Sequence, residues 1–272
     1  MTGGTARRAG LAGRLLAGLL ILAFFAAVGA SALVLPSLGA GGNLVDFDAF
    51  YLVGRLVAEG RAAAAYDPAV MAGLQQALVG HAGFMPWSYP PMFDLLVAPL
   101  PALPRGLSYA LFTGLTLAAY LAVLARLAGR SLPLVLLALA PPIYVCATIG
   151  QNGFLTGALM GGFALLSLAG RPAAGWPLGL LVIKPHLGLG LAVQALAAGR
   201  WPVLARAALL GLGLAALATL LLGPSIWPAF RAGLAASGEA LATGFYPLFR
   251  MTSVYALLHT LGAPPGLALA VQ

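Results

Sequence analysis

Long apolar runs broken by brief polar stretches set the pattern of this chain. A helix needs about 20 predominantly apolar residues to cross a bilayer. The pattern predicts spans over 15–35, 107–124, 132–148, 154–168 and 203–222, with a last one beginning near Ser253. The stretch 173–198 is equally apolar but carries Lys184-Pro185-His186 at its middle. It reads either as one kinked span or as two short helices meeting at that tripeptide. Residues 36–106 are more polar and predict a long first outer loop. Within it, apolar and polar positions alternate over 51–59 as in an interfacial amphipathic helix beginning near Asp48. A turn follows at Tyr66-Asp67-Pro68, then a second interfacial helix over 69–79, then an apolar piece, 92–100, too short to span. Gly150-Gln151-Asn152-Gly153 is a tight polar turn between spans. The predicted fold class is all-α: a polytopic membrane protein whose residues 1–272 form one integral membrane domain.

Composition agrees. The chain is 61% hydrophobic and 7% charged, against about 25% charged in a soluble domain. The net charge of +8 rests on thirteen arginines and one lysine scattered between apolar runs, with no basic stripe, so nucleic acid is not a predicted partner. The single cysteine, Cys146, lies in an apolar run and excludes an intramolecular disulfide. The histidines are far apart, and no HExxH, GxGxxG, P-loop or GxSxG context occurs. No cofactor and no metal centre is predicted. The first run follows Arg7, Arg8 and Arg14 and is long for a signal peptide, so an uncleaved span with a cytoplasmic N-terminus is expected.

Charge asymmetry chooses between the two readings of 173–198. With two short helices, Arg126, Arg130, Arg171, Arg200 and Arg206 join the N-terminal arginines on the cytoplasmic side. Asp46, Asp48, Glu59, Asp67, Asp94 and Glu239, all the acids of the chain, then lie outside. The predicted location is the inner (plasma) membrane, with the polar clusters on its outer face.

Those clusters are the candidate chemistry. Asp46 and Asp48 either cap the helix that follows or supply a carboxylate that takes a proton. Lys184, the only lysine, either snorkels to the interface or faces an anionic group such as a lipid-linked phosphate. His186 beside it is either a second cationic contact or a satisfied buried histidine. Gln151 and Asn152 either form a polar turn or bind substrate, and Arg250 divides between an interfacial anchor and an anion contact. Tyr89-Pro90-Pro91 stiffens the backbone.

Taken in order, Asp46-Phe47-x-x-Phe50-Tyr51-x-x-Gly54, Tyr66-Asp67, Trp87-x-Tyr89-Pro90-Pro91, Gly150-Gln151-Asn152-Gly153, Lys184-Pro185 and Ser253-Val254-Tyr255 resemble glycosyltransferase family 87 over nearly the whole chain. The resemblance implies a C-type glycosyltransferase fold. It also implies an inverting transfer of a hexose such as mannose from a polyprenyl-phosphate donor to a lipid or glycan acceptor at the outer face. It makes Asp46 the base, with Asp48 second, and points Lys184 at the donor phosphate. The family often has Gln where this chain has His186. Tyr51, Tyr89, Gln151, Asn152, His186 and Arg250 complete the expected substrate-binding set. Members typically run past this length with further C-terminal spans, so such spans are expected beyond Gln272. The competing expectation is a secondary transporter or flippase for a lipid-linked or anionic solute, with Lys184 in a broken helix as its site. The two halves of the chain show no internal repeat that would favour it.

Overall fold

A computed structural model describes residues 19, 45–80, 84–246, 248, 251 and 253–272. The expected first span over 15–35 and the site candidate Arg250 lie outside the described residues. Among the described residues there are twelve α-helices and no strand.

The polar region expected as a loop comes first in chain order and is mainly helical. Helix α1, Asp46–Ala58, begins two residues earlier than expected, because Val45 is extended and its N–H donates to Asp48 Oδ2 at 3.1 Å. Phe47, Phe50, Val53 and Leu56 recur at near-helical spacing on its buried face. A 3-10 turn, Ala62–Tyr66, leads to Asp67, which accepts from the Ala69 and Val70 N–H groups and caps α2, Pro68–Val79. Pro68 at the first helical position costs nothing there, since its missing N–H would be unpaired anyway. The chain then runs extended through Trp87 and Tyr89 to α3, Pro91–Val97, which is indeed too short to span. Gly54 lets α1 cross directly on the Val97 carbonyl and Pro101.

Two long apolar helices, α4 (Arg105–Ala128) and α5 (Leu132–Ile149), form a hairpin. Tyr109, near the start of α4, donates to the Ala147 carbonyl near the end of α5, which requires the two to run antiparallel. Helix α6, Gly153–Leu168, returns alongside α4, with Gly157 under Tyr120 and Gly161 under Val123.

The stretch 173–198 is two helices, as the charge asymmetry required. Helix α7, Gly175–Leu180, and a 3-10 turn, Leu181–Ile183, end at Lys184, whose backbone (φ −149°, ψ 70°) is not helical. Helix α8, Pro185–Ala197, folds back, placing Gly188 beside Leu181 and Leu178. A single straight helix would hold residues seven to ten positions apart about 10–15 Å from each other. Helix α9, Trp201–Leu222, runs parallel to α7, with Gly175 against Val203 and Gly179 against Ala207.

After α9 comes a helix that the hydropathy pattern did not call for, α10 (Ile226–Ala242), whose Gly233 packs on Tyr66 and the Trp87 carbonyl. The expected last span from Ser253 is instead two short helices, α11 (Val254–Thr260) and α12 (Pro265–Val271). Left-handed Gly262 (φ 89°) and Pro264 break the run, and seven residues reach only about 10 Å.

The charges separate along the bundle. Arg126, Arg130, Arg171, Arg200 and Arg206 sit at the end where α4 and α6 finish, and Arg200 donates to the Ser167 carbonyl there. The aromatic core around Phe47, Phe50, Trp87 and Phe93, with Ile183 and Ile226, fills the opposite end.

Candidate functional site

A cavity of about 600 Å³ opens at that aromatic end, within the usual size range for ligand sites. Asp46, Tyr89, Lys184 and His186 line it, together with the Phe84–Pro86 strap, Ser88, Phe245 and Tyr246.

Each functional side chain is placed by a local device. Asp46 stands at the first position of α1. Phe50, one turn on, meets Trp87, Tyr89, Phe93 and Phe112 edge-on at 5.2–6.0 Å between ring centres, which holds the Tyr89 ring against the cavity. The strap is held from behind by Gln75, fully buried, whose amide donates to the Met85 carbonyl at 2.8 Å and accepts from the Met85 N–H at 2.7 Å. The Gly150 turn brings Gln151 under Asp46, and the non-helical backbone at Lys184 aims its amine at the same place.

These groups form one hydrogen-bonded chain. Gln151 Nε2 donates to Asp46 Oδ1 at 2.9 Å, while Gln151 Oε1 accepts from the Tyr89 hydroxyl at 3.2 Å and from the Asn152 N–H at 2.8 Å. Lys184 Nζ donates to Asn152 Oδ1 at 3.3 Å and lies 5.7 Å from the centre of the Tyr89 ring, a cation–π distance. Burial raises the Asp46 pKa above the ordinary carboxylate range. The Lys184 charge and the Gln151 hydrogen bond pull it partly back. The Tyr89 phenol is pushed up by burial and by the Asp46 charge, so it stays protonated and donates to Gln151.

Asp48 and Tyr51 are not brought to the cavity. Asp48 is buried on the other side of α1, 3.4 Å from Arg105, and receives the Val45 N–H, so of the two acids it is the one that caps the helix. Burial raises its pKa too, offset by that N–H and by Arg105. The Tyr51 hydroxyl donates to the Leu103 carbonyl at 3.1 Å. His186 is exposed at the rim. Among the described residues, no group of three His, Cys, Asp or Glu side chains converges as metal ligands would.

Sequence reasoning missed several walls of this site. Tyr246 and Phe84 carry no motif, and Asp94 draws no attention in an apolar stretch. Asp94 is completely buried just below the strap, with Oδ1 accepting from Trp87 Nε1 at 2.9 Å and Oδ2 lying 2.9 Å from the Tyr66 hydroxyl. An acid preceded at short range by Trp87 and Tyr89 was the available signal, but its partner Tyr66 stands 28 positions away.

The model of glycosyltransferase family 87 matches residues 87–272, more than half of the chain. The chain belongs to glycosyltransferase family 87. It is therefore a membrane glycosyltransferase, in keeping with its all-helical fold and with two helical stretches, Arg105–Ile149 and Trp201–Leu222, long and apolar enough to cross a membrane. The match takes in Tyr89, Gln151, Asn152, Lys184 and His186 and begins after Asp46, so it is shorter than the resemblance suggested. No curated protein and no solved structure matches the chain.

Proposed function

We propose that this family 87 enzyme moves a hexose, such as mannose, from a polyprenyl-phosphate donor to a lipid or glycan acceptor at the outer face of the plasma membrane. The observation that carries this reading is that Asp46 and Lys184, a carboxylate and an amine from distant parts of the chain, face one cavity and are joined through Gln151 and Asn152. Asp46 takes the proton of the acceptor hydroxyl, whose oxygen attacks the anomeric carbon. The bond from that carbon to the phosphate oxygen breaks with inversion, and polyprenyl phosphate leaves with the electron pair. Lys184 faces the charge that grows on that phosphate, and His186 stands at the rim where a headgroup enters. Segregation of five arginines to the far end of the bundle supports the outer face as the side of the site. A carrier reading has no observation of its own beside the family match.

The test is sugar transfer from a synthetic polyprenyl-phosphate donor, at matched protein levels. Asp46→Asn keeps shape but cannot accept a proton, so transfer falls by about 10²–10⁴-fold. Asp48→Asn still accepts from Val45 but no longer neutralises Arg105, so it costs stability, on the order of 1–3 kcal/mol, rather than transfer. A wild-type rate in Asp46→Asn refutes the base assignment, and loss in Asp48→Asn alone moves it to that residue.

A further inference from the structure

The three polar side chains beneath the strap contain a proton-count problem. Tyr66 Oη lies 2.9 Å from the Tyr89 carbonyl oxygen and 2.9 Å from Asp94 Oδ2. A phenol has one proton, and a backbone carbonyl has none to give. If Asp94 is ionised, two acceptors share that one proton, and a fully buried carboxylate is left with Trp87 Nε1–H as its only undivided donor. If Asp94 carries a proton, every group is satisfied: the acid donates to Tyr66 Oη, Tyr66 donates to the Tyr89 carbonyl, and Trp87 donates to Asp94 Oδ1.

We propose that Asp94 is a neutral carboxylic acid that positions Tyr89, and through it Gln151 and Asp46, by completing a hydrogen-bond chain to the Tyr89 backbone.

The surroundings fit. Asp94 has no exposed surface, and Tyr66 and Trp87 beside it are nearly as buried. No cation among the described residues pairs with it. Arg105 is paired with Asp48, Arg55 and Arg61 with Glu59, and Lys184 with Asn152. On the elements packed against α3 the charged groups are Asp46, Asp48 and Arg55 of α1, Lys184 after the 3-10 turn, Arg206 of α9, and Arg231 and Glu239 of α10. Among the described residues none makes an ion pair with Asp94, and Tyr66 is its titratable hydrogen-bond partner. An isolated buried carboxylate costs several kcal/mol, and the usual escape is protonation. Burial accordingly pushes the Asp94 pKa up to about 8, against the lowering pull of Tyr66 and Trp87. From Asp94 the chain runs to the Tyr89 carbonyl, and the same residue's hydroxyl reaches Gln151 and thence Asp46. The positioning role rests on the reading of Asp46 as the base, whereas the protonation state does not.

The experiment uses the full chain in detergent. Infrared difference spectra between wild type and Asp94→Asn report a protonated-carboxyl C=O stretch, and thermal melts of the same pair are taken across pH. The band is expected in wild type at neutral pH and is lost at alkaline pH. The sign of the melt follows from a folded pKa above the unfolded one: stability from the proton is full below about 4, where the unfolded chain is also protonated, and declines until the folded group ionises near 8. The folded-to-unfolded ratio of wild type relative to Asp94→Asn therefore falls about tenfold per pH unit across that window and is level above it. Absence of the band, or a wild-type advantage that grows with pH, overturns the neutral acid. Sugar transfer tests the positioning separately. Asp94→Leu should lose transfer, and Asp94→Asn, which repeats the neutral acid's hydrogen bonds, should restore it and hold it at alkaline pH, where wild type declines. Full transfer in a folded Asp94→Leu overturns the positioning role. If Asp46→Asn also transfers normally, the base assignment has failed instead, and the infrared result still stands.

Discussion

Replacing Gln151 with leucine tests whether the hydrogen bond beneath Asp46 tunes a catalytic carboxylate. The substitution keeps comparable bulk but removes the Nε2 donor 2.9 Å from Asp46 Oδ1. A hydrogen bond to a charged group is worth about 1.5–3 kcal/mol, and about 1.4 kcal/mol corresponds to one pKa unit. Because the bond favours the ionised form, its loss raises the Asp46 pKa, already elevated by burial, by roughly one to two further units. The base acts as carboxylate, so the acid limb of kcat/KM against pH moves up by that amount. Below the new pKa the rate falls about tenfold per pH unit, and raising the pH restores it. Gln151 Oε1 also accepts from the Asn152 N–H, so the variant loses about 1–3 kcal/mol of stability, which a melt measures independently. A rate that drops equally at every pH, with the limb unmoved, would refute the tuning and leave Gln151 as a spacer.

Three other outcomes are expected. Gly150→Ala should misfold or melt early, since Gly150 is left-handed (φ 63°) and a Cβ there would sit 2.6 Å from Phe47 Cβ and 2.9 Å from the Tyr109 ring; an unchanged melting temperature would contradict this packing. Lys184→Ala should weaken use of a lipid-linked phosphate donor, seen as a raised KM for that donor, with Lys184→Arg keeping part of the function; wild-type kinetics in Lys184→Ala would reduce the lysine to an interfacial anchor. Reporter fusions at Arg130, Arg171 and Arg200 should read cytoplasmic, and fusions at Gly80 and Gly244 external; a cytoplasmic signal at Gly80 would turn the site to the other face.

Most of the bundle was legible because membrane helices announce themselves by apolar length, and α4, α5, α6 and α9 fall close to their expected positions. The break at Lys184 was legible for a different reason: a charge and a proline interrupt an apolar run, and arginine placement selects the reversal. Two features escaped. The run after Ser253 is apolar enough to suggest a span, but Gly262 and Pro264 are backbone signals that outweigh hydropathy. Helix α10 mixes glycine, alanine and serine with charges, so neither its length nor its period stands out. In the site, the ranking of Asp46 over Asp48 came from the resemblance and from its place just before the interfacial helix, because two acids two positions apart otherwise carry the same local signal. Their opposite environments, Gln151 and Lys184 on one side and Arg105 on the other, are set by residues 57 to 138 positions away. Asp94 was illegible for the same reason.

The reversal at Lys184 has a consequence for the lipid around it. The segments on either side, Pro172–Ile183 and Pro185–Ala197, are each about 18–20 Å long, well short of a hydrocarbon layer about 30 Å thick. Val182 sits beside Gly211, and α9 continues roughly three turns past that level to Leu222. The segment before Lys184 therefore ends about three turns below the end of α9, whose upper turns pack through Leu214, Ala218 and Leu222 on the aromatic core. On the proposed function, lipid beside the short segments dips to meet them. On that same proposal, the headgroup of a lipid-linked donor reaches the depth of Lys184 without crossing the apolar layer. Thick membranes resist such a dip, so turnover in vesicles should fall as acyl chains lengthen, at constant donor density and protein orientation.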